Sequence, residues 1–330
     1  MKGVSVIICC YNSASRLPET LRHVALQQVA DDIPWEVIVV NNNSTDTTVE
    51  VAGYEWNRHE CNVPFKIIDE PNPGLSFARE KGILESSFDF VLFCDDDNWL
   101  SKNYIETGFG ILESNLEIGV LGGKSEAVFE TKEPDWFNKV KFAYAVGKQS
   151  ENSGNITKKG CVWGAAQFIR KKILLDFYVN GVKHLLTGRK EGVLLSGDDA
   201  EICKWFIFAQ YKLWYSEKLL FYHFMPTSRM SLDNHHKLDE GHKLSFFYLI
   251  MYDILISVQN EFTKGILHKL KWMLKGLYRL IKDKFTTYNI SEKDKYRLQF
   301  LIGCNIHILP NTEQVFKNYF IIKKIINKQK

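Results

Sequence analysis

Three adjacent carboxylates, Asp95, Asp96 and Asp97, close a short apolar run, Phe90-Val-Leu-Phe-Cys94. Like charges this close repel one another, so three of them are a poor choice for a mere surface turn. In extended backbone, residues i and i+2 face the same way, so Asp95 and Asp97 can converge while Asp96 points elsewhere. Two hard oxygen donors at a strand end suit Mg²⁺ or Mn²⁺, with a diphosphate completing the shell. His223 ends another apolar run and is a candidate third ligand, although a lone histidine is more often structural. Arg229, six residues on, can pair with phosphate oxygens.

A second acidic group, Gly197-Asp198-Asp199-Ala200-Glu201, reads as a helix start. Asp198 as N-cap and Glu201 three residues later would form a capping box. That leaves Asp199 without a structural task and able to act as a general base in a cleft; the competing reading is an ordinary first-turn acid. Asn72-Pro73-Gly74 reads as a turn feeding a helix. Arg79 then lies about one turn in, either reaching a phosphate or the acidic cluster, or standing as an ordinary surface arginine.

The elements that must position these groups follow from the apolar spacing. Residues 4–9, 36–40, 65–68 and 90–94 are short β-rich runs that read as buried strands. Between them, residues 15–28, with Pro18 at an early helical position, and 75–86 read as helices. A further helix begins near Thr47, with Ser44 as a possible cap. Alternating strands and helices predict a mostly parallel sheet covered on both faces, with ligands beyond the carboxyl ends of the strands. The polar clusters Tyr11-Asn12, Asn41-Asn42-Asn43 and Asp95-Asp96-Asp97 fall at those ends. Farther on, residues 165–169 and 219–223 read as strands and 198–210 as a helix. From about residue 239 the pattern is helical, lysine-rich and aromatic.

Charged residues make up 25% of the 330 positions and aromatics 13%, which excludes wholesale disorder. The net charge of +3 conceals a split, because residues 261–330 hold 15 Lys and Arg against 5 Asp and Glu. Such a basic region suits an anionic partner. Within it, Leu267, Leu270, Leu274, Leu277 and Ile281 share one helical face, with Lys264, Lys271, Lys275, Arg279 and Lys282 beside it and Trp272 nearby. That pattern fits docking on an anionic membrane surface or packing against the catalytic domain with solvated lysines. Residues 244–260 are too short and polar for a confident membrane span. The run from Val4 to Cys10 stops at Tyr11-Asn12-Ser13 without a cleavage site and is not expected to be a leader. The seven cysteines show no CxxC spacing and read as reduced thiols of a cytoplasmic protein.

Taken together, these motifs resemble glycosyltransferase family 2, over roughly residues 3–230. Val4-Ser5-Val6-Ile7-Ile8-Cys9-Cys10-Tyr11-Asn12 resembles the family's opening strand and nucleotide-side loop. Glu36-Val-Ile-Val-Val40 with Asn41-Asn42-Asn43-Ser44-Thr45-Asp46 resembles the segment that contacts the base. Asn72-x-Gly74 with Ala78-Arg79 is similar to the next motif, Asp95-Asp96-Asp97 to the DxD element, and Asp198-Asp199 to the acidic pair that holds the base. Gly164-Ala165-Ala166, leading to Arg170, resembles the acceptor-side segment. Asn41 and Asn42 stand where the family usually has aspartate, and Asp198 where glutamate is commoner. Asn42 can still accept a uracil N–H through its amide oxygen. No Gln-x-x-Arg-Trp motif and no transmembrane array follows, which argues against a processive synthase.

The resemblance implies a GT-A fold: an α/β nucleotide-binding sandwich with a mostly parallel central sheet and a C-terminal α-helical extension. It divides the chain at 232, into a catalytic domain (1–114 on the nucleotide-sugar side, 115–232 on the acceptor side) and a basic helical extension (233–330). The implied reaction is metal-dependent, inverting transfer of a sugar from a nucleoside diphosphate, with UDP the expected nucleotide, to a glycan or lipid-linked acceptor in bacterial surface polysaccharide synthesis. Asp199 would be the base, and an ordinary carboxyl pKa of about 3.9 would suffice, because the acceptor hydroxyl becomes acidic only as the bond forms. Tyr11, Asn12, Asn42, Asn72, Arg79, Asp95 and Asp96 would bind the donor nucleotide. Asp95, Asp97 and His223 would hold Mn²⁺ or Mg²⁺, and Trp163, Gly164, Asp198 and Arg229 would line the acceptor and phosphate side. The expected partners are donor, acceptor and an anionic membrane on its cytoplasmic face, not nucleic acid. Two rivals share the fold. A nucleotidyltransferase should carry a Gly-rich basic loop where residues 11–16 have no glycine, and a non-catalytic module should have lost the carboxylates. Gly122-Gly123-Lys124-Ser125 lacks the P-loop's first glycine, and no GxGxxG follows a strand.

Overall fold

The computed structural model describes residues 1–188, 196–262 and 312–329. Four parallel strands, β1 (Val4–Cys10), β2 (Trp35–Asn41), β3 (Phe65–Asp69) and β4 (Phe90–Asp95), lie in the order β3-β2-β1-β4. Helices α1 (Leu17–Ala25), α2 (Thr48–Arg58) and α3 (Leu75–Glu85) connect them. Alternation along β1 fills both faces. Val4, Val6 and Ile8 pack with Leu17, Leu21 and Val24 of α1, while Ile7 packs with Ala78 and Ile83 of α3. The strand order reverses at β1 and β4, where Cys9 pairs with Asp95, and this opens a crevice beyond the strand ends.

The second half extends the same sheet rather than forming its own. It adds β5 (Asn98–Leu100), α4 (Tyr104–Ser114), β6 (Ile118–Phe129), α5 (Phe137–Val140), β7 (Gly154–Asn155), β8 (Gln167–Arg170), α6 (Lys171–Val179), α7 (Asp198–Phe208) and β9 (Lys212–Met225). The order continues β4-β8-β6-β9-β5, with β7 on β9. The pairings β4–β8, β6–β8, β5–β9 and β7–β9 are antiparallel, so the parallel arrangement is confined to the first half and to β6–β9.

Several local expectations are corrected. Ser44 does not cap α2, because the Thr48 N–H bonds the Asp46 carboxylate at 3.0 Å. The strand expected from 165 begins at Gln167, because Ala166 has a φ of 52° and turns the chain. Asp198 is not the N-cap of α7. Gly197 is, with a φ of 101° that favours glycine, and Glu201 points away from the helix start. Arg170 donates to the carbonyls of Leu112, Asn115 and Ile118 at the sheet's far end, so it clamps the scaffold.

Two further helices, α8 (Leu232–Phe262) and α9 (Thr312–Gln329), pack on α7. Ile250, Met251, Tyr252 and Leu255 of α8 and Val315 and Ile322 of α9 share one core with Trp205, Phe206 and Phe208. Among the described residues no helix is long and apolar enough to cross a membrane. Residues 244–260 instead belong to α8. The stretch 264–284 lies outside the described residues.

The two halves are tied by Arg79 of α3, which is 2% exposed. Its Nη1 donates to the Asp198 carboxylate at the start of α7, and its Nη2 lies 3.8 Å from Asp95 at the end of β4. The guanidinium also lies over the Phe93 ring, 5.0 Å from its centroid. Removing one partner leaves the other charge buried, which costs about 3–5 kcal/mol. Arg79→Met and Asp198→Leu should each destabilise the fold on that scale in urea unfolding, and the double variant by clearly less than the sum. Strictly additive losses would show that the pair does not couple the halves.

Candidate active site

The loops after β1, β2 and β4 form one wall of the crevice. Tyr11 is 50% exposed there. Asn12, at a φ of 49°, joins two loops: its N–H donates to Ser44 Oγ at 3.1 Å and its Oδ1 accepts from the Thr45 N–H at 2.8 Å. Asn42 is buried. Its Nδ2 donates to the carbonyls of Glu70 (3.0 Å) and Asn72 (2.6 Å), and its Oδ1 accepts from the Gly74 N–H at 2.9 Å. The amide oxygen expected to face a base is thus already engaged in holding the 70–74 turn. Asn72 is exposed and donates to the Glu70 carboxylate at 2.8 Å. These asparagines shape the wall.

The three aspartates separate into three tasks. Asp96 turns back to the β1–α1 loop, where it accepts from Ser13 Oγ and from Arg16 Nη2 at 2.7 Å. Its carbonyl accepts from Thr20 at 2.8 Å. It therefore braces that loop. Asp95 faces Arg79. Burial raises its carboxyl pKa, Arg79 opposes the rise, and the negative charge of Asp97 adds to it. Asp97 is buried between two cations or donors, with His223 Nε2 at 3.3 Å and Arg229 Nη1 at 2.5 Å.

Among the described residues, no three His, Cys, Asp or Glu side chains gather into a metal cage, so the expected triad of Asp95, Asp97 and His223 is not assembled. Asp97 and His223 do stand together, and the buried His223 Nδ1 has no hydrogen-bond partner. Two protein donors with phosphate oxygens filling the shell are compatible with Mg²⁺ or Mn²⁺ chemistry.

Across Arg79 stands Asp199, half-buried in the first turn of α7. Its Oδ2 accepts from the Gly164 N–H at 2.6 Å and its Oδ1 from the Ala200 N–H at 2.7 Å. Burial and the neighbouring Asp198 raise its pKa to about 6, against the pull of Arg79 and of the two N–H groups. Gly164 has no room for a side chain, since a Cβ there would stand 2.8 Å from both Arg79 Nη2 and Asp199 Cβ. Trp163 precedes it, half-buried, its N–H donated to Gln149 Oε1 at 2.9 Å. Asp198 serves Arg79 rather than an acceptor.

Three contributors, Ser13, Arg16 and Gln149, have no assignment from the sequence, and a fourth, Glu201, has only that of a capping-box acid. Asp96 needed a cation, and Arg16 in the adjoining loop was the one signal available. Glu201, fully buried, accepts from the N–H groups of Leu185 (3.0 Å) and Leu186 (3.2 Å) and from Tyr252 Oη (2.8 Å). Spacing gave no hint of these partners.

The profile of the family described as Glycosyl transferase family 2 matches residues 5–176, more than half of the chain. The cholesterol galactosyltransferase of Borreliella burgdorferi is 32% identical over 103 residues, 31% of this chain and 27% of that protein. Glycosyltransferase GlyA of Streptococcus pneumoniae is 31% identical over 118 residues, 36% of this chain and 16% of that protein. The matched stretches thus span about a quarter or less of these relatives' own length. Residues 1–349 of Staphylococcus aureus TarS, solved in complex with UDP-GlcNAc, superpose with a TM-score of 0.56 at 16% identity, covering 100% of this chain and 93% of that one. This last likeness speaks for the fold, while the matched profile, spanning the strands and loops from which Arg79 and the three aspartates project, speaks for descent: the chain belongs to glycosyltransferase family 2.

Proposed function

We propose that this chain transfers a sugar, with inversion, from a UDP-sugar to a hydroxyl of a glycan or lipid-linked acceptor in bacterial surface polysaccharide synthesis. The observation that carries this reading is Asp199, oriented by two backbone N–H groups and opposed to the Asp95–Asp97 strand end across Arg79. The solved TarS complex with UDP-GlcNAc supports the donor class. The name of the Borreliella burgdorferi relative, a cholesterol galactosyltransferase, supports an acceptor of lipid character.

In this reading the acceptor oxygen attacks the anomeric carbon and its proton passes to Asp199. The bond from that carbon to the diphosphate oxygen breaks, and the diphosphate leaves with the electron pair. Arg229, paired with Asp97 and 20% exposed at its side chain, meets the departing phosphate oxygens. A divalent cation held by Asp97 and His223 would supply further charge neutralisation there. The β1–α1 loop has no glycine and is folded onto Asp96, so it offers no cradle for the triphosphate of a nucleotidyltransferase. The basic balance of residues 261–330 and the outer face of α9, with Lys317, Lys324 and a 63% exposed Phe320, support a peripheral position on the cytoplasmic face of an anionic membrane.

Asp199→Asn should lower turnover by on the order of 10²–10⁴ and leave UDP affinity nearly unchanged. The base must be ionised, so kcat/KM should fall as pH drops through about 6 and lose this limb in the variant. An acid limb well below that pH would reassign the base. Isothermal titration tests the cation: UDP should bind more tightly with Mn²⁺ than after chelation, and Asp97→Ala should abolish the difference while remaining folded by circular dichroism. Equal binding with and without Mn²⁺ refutes a cation at this position. In flotation, full-length protein should rise with phosphatidylglycerol vesicles at low salt and not with phosphatidylcholine. Absence from both fractions refutes the membrane placement.

A further inference from the structure

Trp163 precedes Gly164, whose N–H bonds Asp199, and the exposed ring of Phe142 lies next to it. Phe142 is 59% exposed, and its ring centroid lies 6.4 Å from that of Trp163 at an interplanar angle of 39°. A single exposed phenylalanine needs no explanation. This one is different because the turn that carries it is firmly bonded and ends in an unfavourable backbone conformation. It sits in a helical turn, Lys141–Tyr144, that ends at Ala145 with a φ of 54°, a left-handed conformation costly for a residue with a Cβ. The loop is then bonded to β6. Ser125 and Gly147 exchange both backbone hydrogen bonds, at 3.1 and 3.0 Å, and Ser125 Oγ donates to the Ala145 carbonyl at 2.5 Å. Gly147, at a φ of 119°, lies close under the ring, since a Cβ there would stand 3.2 Å from Phe142 Cε1.

Trp163 is fixed by the same scaffold. Gln149, 6% exposed, accepts from the Trp163 N–H and donates to the Gly123 carbonyl at 3.0 Å. The Lys159 ammonium lies 5.1 Å from the indole centroid and donates to the Gln149 carbonyl at 3.0 Å. The next residue, Gly164, gives its N–H to Asp199. On the other side, Phe142 borders a cleft of about 460 Å³, shared with Lys141, Gly147 and Lys148, a size within the range of small-ligand sites. The sequence of features is therefore base, indole, phenyl, cleft. Backbone strain kept at a site edge and rigid exposed rings together mark a preorganised binding surface.

We propose that Trp163 and Phe142 form a stacking platform selecting a carbohydrate acceptor longer than one sugar. The ring bearing the attacking hydroxyl lies against Trp163 beside Asp199, and the preceding sugar lies on Phe142 and leads into the cleft. Sugar rings present apolar C–H faces, and flat aromatic surfaces cover them at little entropic cost. The proposal rests on the glycosyltransferase reading of Asp199 and adds the chemical class and minimum length of the acceptor.

The test uses the full-length protein with UDP and Mn²⁺, titrated with two series of methyl glycosides, gluco- and chito-oligosaccharides of one to four sugars. Saturation-transfer NMR reads the affinity. In at least one series affinity should rise on going from one sugar to two. Phe142→Ala should remove that gain, about three- to tenfold for a lost aromatic contact, and Phe142→Tyr should keep it. UDP affinity, measured on the same samples, should be equal in all three proteins. Affinity that ignores length in both series, or a gain that survives Phe142→Ala, overturns the platform. Failure of the unaltered protein to bind UDP would instead count against the nucleotide-sugar reading beneath it.

Discussion

A guanidinium shut away from water must find its compensation inside the protein, and Arg79 finds it in groups that no local stretch of sequence could supply together. Asp198 begins α7, Asp95 ends β4, and Phe93 of the same strand lies beneath the cation. Gly164 must be bare for the Arg79 side chain to pass. Four segments are thereby fixed around one charge, and the candidate base is set by the arrangement. Asp198 pushes the Asp199 proton affinity up, Arg79 pulls it down, and the balance leaves a carboxyl at about 6. Such a group is ionised at neutral pH and more basic than a free carboxylate, the compromise that proton abstraction favours. Without the cation, Asp95, Asp198 and Asp199 would stand as uncompensated neighbours.

What sequence revealed, and what it hid, follows from the range over which each signal acts. The strands of the first half were legible because burial on both faces gives unbroken apolar runs such as Val4-Ser5-Val6-Ile7-Ile8. Their carboxyl ends were legible because polar residues gather where those runs stop. Asp96 was expected to diverge from Asp95 and Asp97, and it does, but its tie to Ser13 and Arg16 spans some 80 positions and has no local mark. The resemblance of residues 36–46 to a base-contacting segment says nothing of the distant groups that Asn42 meets, and its amide serves three backbone groups of the 70–74 turn. Asp198 and Glu201 have the spacing of a capping box, yet the left-handed Gly197 takes the cap position and frees both acids for distant partners. Phe142 attracted no notice at all, because an exposed phenylalanine becomes informative only beside a strained, bonded loop.

Glu201 decides how α8 and α9 are joined to the helix that carries Asp199. A fully buried carboxylate has to be satisfied by donors. Its partners are the N–H groups of Leu185 and Leu186, the hydroxyl of Tyr252 and His184 Nδ1 at 3.2 Å. Tyr252 in turn accepts from Trp205 Nε1 at 3.2 Å and from Asn318 Nδ2 at 2.9 Å, which joins α7, α8 and α9 in one buried polar network. Lys204 adds an ion pair to Asp253 at 2.8 Å. Glu201, Lys204 and Trp205 all fall within two turns of Asp199 on the same short helix. Displacing α8 would take the hydroxyl donor from buried Glu201, and displacing α9 would take Asn318 from Tyr252, so the two helices and the first turns of α7 move as a unit. It follows that any surface on which the outer face of α9 rests is held at a fixed disposition to the base. The outer face of α9 and the Asp199 carboxylate thus belong to one rigid unit, joined by the same buried bonds that hold the fold.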